Sequence, residues 1–69
     1  MLNLLEVHAG ATLQLREGAT AVVTENMGDG QWLMVRYLSA PRHPDDVGKE
    51  ELCHSQDIVK VLSEKSDGH

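Results

Sequence analysis

Cys53 and His54 are neighbours in the chain, and a thiol beside an imidazole is the pair from which a cysteine nucleophile is built. The imidazole must come within hydrogen-bond reach of the sulfur for the thiolate to form. Residues 50–55 read as a short strand, however, and successive side chains of a strand point to opposite faces. The spacing therefore predicts no dyad. It predicts Cys53 as a small inward-facing apolar residue, slow to react, with His54 in solvent.

The remaining chemistry-bearing residues are dispersed. His8, His43, His54 and His69 with Cys53 are enough ligands for a metal, but they match no C-x-x-C or H-x₃₋₅-H clip. No metal site and no cofactor are expected. Asn26-Met27-Gly28-Asp29-Gly30 has the glycines of a phosphate cradle, yet it leads into a strand rather than a helix, lacks a lysine and carries a repelling Asp29. It reads as a hairpin turn. Asp45, Asp46, Glu50 and Glu51 lack the fixed oxygen spacing of a calcium loop and read as a solvated acidic face. Acid, base and nucleophile are nowhere combined, so no catalytic residue is assigned and a non-enzymatic role is expected.

The elements that hold these residues are strands. Leu13 and Leu15 alternate with Thr12, Gln14 and Arg16, the period of a half-buried strand. Residues 19–25 are rich in β-branched types and form its hairpin partner around Glu17-Gly18-Ala19. The glycine-rich turn leads into residues 31–39, the longest and central strand. Pro41 and Pro44 forbid a regular ladder over 40–50. Residues 50–55 follow as a fourth strand. The polar Ser55-Gln56-Asp57 break suits one 3₁₀ turn before a last strand at 58–62. Residues 1–10 are a cap or an extra strand, 11–62 the domain, and 63–69 a frayed polar tail. Five short strands without a βαβ unit predict an all-β, five-stranded antiparallel barrel.

The totals narrow the partners. The 69 residues allow one small domain, which buries only about 60% of its unfolded surface. Six Lys+Arg against 11 Asp+Glu give a charge of −5. That balance counts against nucleic acid, whose affinity comes from clustered Lys and Arg, and against an anionic membrane surface. No apolar run is long enough for a membrane span. A single cysteine excludes an internal disulfide and points to the reducing cytoplasm.

Residues 50–62, with Ser55-Gln56-Asp57 leading into Ile58-Val59-Lys60-Val61-Leu62, resemble the end of an SH3-like barrel, where a one-turn 3₁₀ helix joins the last two strands. The two strands around a tight Gly turn and the long strand bearing Trp32 are similar to the upstream part of that class. The resemblance covers roughly residues 10–62, and it implies an SH3-like barrel of the stand-alone bacterial kind. Polyproline-binding members line their groove with several aromatics, whereas Trp32 and Tyr37 stand an odd number of residues apart on one strand and face opposite ways. KOW-like relatives bind RNA or the ribosome. That alternative would rest here on a local basic strip of Arg16, Arg36 and Lys60.

The central strand carries more apolar surface than one barrel face needs. Leu33, Val35 and Tyr37 are expected inside, which leaves Trp32, Met34, Arg36 and Leu38 outside. Leu2, Leu4 and Leu5 or another subunit would cover that row. Trp, Met and Arg are types enriched at interface cores. Leu4, Trp32, Met34, Arg36 and Leu38 are therefore the expected interface of a protein-binding module that forms a homodimer. Exchange of strands through the 40–50 loop is one route to it.

Overall fold

The computed structural model describes residues 7–63. It is all-β, with β1 (Thr12–Leu15), β2 (Thr20–Asn26), β3 (Trp32–Ser39), β4 (Glu50–His54) and β5 (Ile58–Ser63) in a single antiparallel sheet of order β4-β3-β2-β1-β5. Three 3₁₀ turns, Arg16–Gly18, Pro44–Asp46 and Ser55–Asp57, complete the described secondary structure. All five expected strands are present, each within a residue of its expected limits.

The sheet is not closed into a barrel. β4 and β5 lie at opposite edges of the strand order and are not paired with each other. They are nevertheless consecutive, joined by Ser55–Asp57 alone. Three residues span at most about 10 Å, so the sheet must curl until its two edges meet at that turn. Register shifts place Val59 and Leu62 of β5 between successive partners on β1, and such bulges bend a strand and raise its twist.

Alternation decides what lies inside the curl. Leu13 and Leu15 of β1, Ala21 and Val23 of β2, Leu33 and Val35 of β3 and Cys53 of β4 are all buried. Tyr37, Ile58 and Val61 pack against them. Leu13, Val23, Leu33 and Val35 are the largest side chains fully removed from water. Each contributes about 1.5–3 kcal/mol of transfer free energy. No aromatic ring is fully buried, so aliphatic packing is what holds the described domain together.

The first described residues, 7–10, are neither strand nor helix. Val7 is buried, its carbonyl accepts from Asn26 Nδ2 at 2.7 Å, and Gly10 N donates to Val23 O at 2.8 Å. This stretch lies along the far end of β2. The expected cap or strand over 1–6, including Leu4, and the tail over 64–69 lie outside the described residues. Ser63 belongs to β5 rather than to a frayed tail.

The 40–50 segment is shorter and tighter than a free loop. Tyr37 N donates to Lys49 O at 3.0 Å and Gly48 N to Tyr37 O at 2.8 Å, which continues the β3–β4 pairing past Arg36 and Glu50. Between them, Pro44 occupies the first turn of the Pro44–Asp46 3₁₀ helix, a position where its missing N–H costs nothing.

Candidate functional site

Two surfaces carry side chains beyond what the core requires. The first is the outward face of β3 and β4, whose register has no shift: Trp32 opposes His54, Met34 opposes Leu52 and Arg36 opposes Glu50. Each is a cross-strand pair. The Trp32 and His54 rings meet edge to face, with centroids 4.7 Å apart and planes at 80°. Arg36 donates to Glu50 Oε2 at 2.6 Å. Trp32 remains 37% exposed and Leu52 53% exposed, with Met34 half-buried between them. The face is apolar in the middle and charged at one end.

Of the residues expected at an interface, Trp32, Met34 and Arg36 share this face. Leu38 is 49% exposed, but Ala21 pairs with Tyr37 and Thr20 with Ser39, so Leu38 sits in a bulge where simple alternation fails. Leu4 lies outside the described residues. Leu52 was not among the expected residues. Its position opposite Met34 follows only from the β3–β4 register, which strand composition does not give.

His54 is not in solvent. Its ring is half-buried against Trp32, and its Nδ1 accepts the Gln56 N–H at 3.1 Å, capping the Ser55–Asp57 turn. Cys53 points the other way, 4% exposed, with its Sγ 3.7 Å from the His54 carbonyl oxygen. Burial, reinforced by the charge of Asp57, pushes its thiol up to about 11. A thiol so held is protonated at neutral pH.

The glycine-rich turn is a closed hairpin connection. Gly28 and Gly30 have φ of 83° and 80°. Asn26 Oδ1 accepts Gly28 N at 2.8 Å, and Asp29 Oδ1 accepts Gln31 N at 2.9 Å and Trp32 N at 3.0 Å. The Asp29 carboxylate thus occupies amides that an anion would need. Those two backbone hydrogen bonds hold its pKa below the usual value. Among the described residues, no three of His, Cys, Asp and Glu converge as metal ligands. No described helix is long and apolar enough to cross a membrane.

The second surface is a cleft of about 260 Å³ inside the curl. Buried Leu15, Ala19, Ala40 and Cys53 form its apolar part, exposed Leu52 borders it as well as the outer face, and Tyr37 stands among them. Arg16, Glu17, His43, Asp46 and Asp57 bring ionisable groups to it. These five come from three separate 3₁₀ turns and their flanks, so only the topology gathers them. Arg16 Nε donates to Gln56 O at 3.0 Å and lies 3.8 Å from Asp57 Oδ1; His43 Nε2 lies 3.5 Å from Glu17 Oε1. Of the basic strip Arg16, Arg36 and Lys60, Arg16 sits at this cleft, Arg36 is paired to Glu50 on the outer face, and Lys60 opposes Gln14 on β5. Compared with known proteins, the chain matches no family model, no curated protein and no solved structure.

Proposed function

We propose that this curled sheet is an SH3-like barrel that acts as a non-enzymatic protein-interaction module of the cytoplasm, and that it associates with a second copy of itself through the outer face of β3 and β4. The observation that carries this reading is the exposed apolar row formed by Trp32, Met34 and Leu52. Isolated exposed apolar residues are ordinary, but a contiguous set rimmed by polar groups marks an interface. The row is also preorganised. Trp32 is held by His54 and Arg36 by Glu50, so little side-chain entropy remains to be lost on binding.

A non-enzymatic role is favoured by the orientation of Cys53 and His54 to opposite faces and by the raised thiol. Face-to-face docking is favoured over strand exchange, because the segment between β3 and β4 is closed on itself by His43 N to Ala40 O, Asp46 N to His43 O and Lys49 N to Asp46 O bonds. Exchange would have to open them.

Sedimentation equilibrium at about 300 µM tests the association, a range that captures even a weak dimer. The expected result is a dimer that Leu52→Glu and Met34→Glu each convert to a monomer with an unchanged circular dichroism spectrum. Leu52 is a surface position, so its substitution should leave the fold within about 0.5 kcal/mol. A wild-type monomer at that concentration overturns the proposal.

A further inference from the structure

The cleft inside the curl lies on the opposite face of the sheet from Trp32 and Met34, and it has a character of its own. At about 260 Å³ it is smaller than the roughly 300–1,000 Å³ pockets that hold whole small molecules. It is the size for one side chain. Its apolar part, from Leu15, Ala19 and Ala40, would accept an aliphatic stem. Tyr37 lines the cleft, and no described residue makes a hydrogen bond with its hydroxyl.

The charge balance selects the end group of that side chain. Glu17, Asp46 and Asp57 bring three carboxylates to the cleft. Their basic neighbours stand off: His43 at 3.5 Å from Glu17, Arg16 at 3.8 Å from Asp57 and Lys49 at 3.9 Å from Asp46. None of the three reaches the 2.7–3.2 Å of a hydrogen bond. A carboxylate offers about four lone-pair sites, so acceptor capacity remains at each. The field of the acids reaches the interior of the cleft. After burial, the charges of Glu51, Asp46 and Asp57 act to keep the Tyr37 hydroxyl protonated.

We propose that this cleft receives the ammonium-bearing side chain of a lysine from a basic segment of a protein partner. The methylene stem packs on Leu15, Ala19 and Ala40, and the ammonium donates to Asp57, Asp46 and the Tyr37 hydroxyl, matching three donors to three acceptors. Glu17 and His43 close the rim.

Amide chemical-shift titration of the full chain with the blocked peptide Gly-Gly-Lys-Gly-Gly tests this. The expected result is saturable shifts at Ala19, Tyr37, Ala40 and Asp57 with a Kd of about 1 mM, the range of a single-residue contact. The Nε-acetyl-lysine peptide should bind at least about tenfold more weakly, and Asp57→Asn and Glu17→Gln should each weaken the lysine peptide by about threefold to tenfold. Glu25→Gln, away from the cleft, should leave the affinity unchanged. No saturation by about 20 mM, equal binding of the acetylated peptide, or an equal loss with Glu25→Gln each overturns the proposal. Because Met34 lies on the outer face and does not line the cleft, Met34→Glu should bind the peptide as the wild type does. Failure of self-association and failure of cleft binding are thus separate results.

Discussion

At the level of single residues, strand alternation was the most dependable guide. It placed Cys53 inward, Trp32 outward and Tyr37 on the core side. It could not place His54 against Trp32, because that contact depends on which β4 residue opposes Trp32. The thiol is where this chemistry is most directly measured. A buried, protonated Cys53 should react with a disulfide reagent at neutral pH at least about 100-fold more slowly than the unfolded chain, since attack requires thiolate and access together. The shift also has a thermodynamic sign. The folded state raises this pKa from 9.0 to about 11, so the folded chain retains a proton that the unfolded chain has lost over that interval. The corresponding stability is fully present below about pH 9 and is lost as pH rises toward 11. Cys53→Ala should flatten that alkaline decline in denaturation midpoints. Rapid stoichiometric labelling of the native protein, or an alkaline decline identical in Cys53→Ala, would contradict this picture.

At the level of elements, the strands and the Ser55–Asp57 turn were legible because period-2 alternation, β-branched runs and polar breaks are local signals. Closure was not legible. Whether β4 pairs with β5 depends on the curl of the whole sheet, to which no residue pair in the sequence speaks. The cleft was invisible for the same reason, since Glu17, His43 and Asp57 are brought together only when three turns meet. The Pro44–Asp46 turn did have a local sign, Pro44 followed by two acids at a 3₁₀ N-terminus, although two prolines in the segment spoke more loudly for loop. The β1–β2 connection shows a strained local choice. Glu17 and Gly18 have φ of 65° and 80°, with Ala19 N donating to Arg16 O at 3.4 Å. Two consecutive positive φ values are what a type I′ hairpin turn needs, and Asn-Gly is the pair that suits it. Glu17 is the one described non-glycine residue with positive φ. Glu17→Asn should therefore raise stability by about 0.5–1 kcal/mol, less whatever small contribution the exposed His43 contact makes. An unchanged or lower denaturant midpoint for Glu17→Asn would mean that the local strain is not real.

At the level of the whole molecule, the surplus apolar surface and the small core belong to one problem. A domain of 69 residues has about 3–10 kcal/mol of stability to draw on, and its largest fully buried side chains are two leucines and two valines. Among the described residues, β4 and β5 are the two edges of the sheet. β4 guards its edge with Glu50 and Glu51, a device against edge-to-edge pairing, while β5 relies on Lys60 and two bulges. Association through edges is thereby discouraged, and the β3–β4 face is left as the surface on which a second copy can add buried apolar area without disturbing either strand edge. If that area contributes to the stability of the fold, unfolding and dissociation are linked, and the melting temperature must depend on concentration. For a dimer of domains this size, each tenfold increase in protein concentration should raise Tm by about 3–6 °C. Met34→Glu should abolish that dependence and melt at the wild type's dilute limit. A wild-type Tm that stays constant from about 5 to 500 µM would show instead that each chain folds on its own core, and that the outer row takes no part in holding it together.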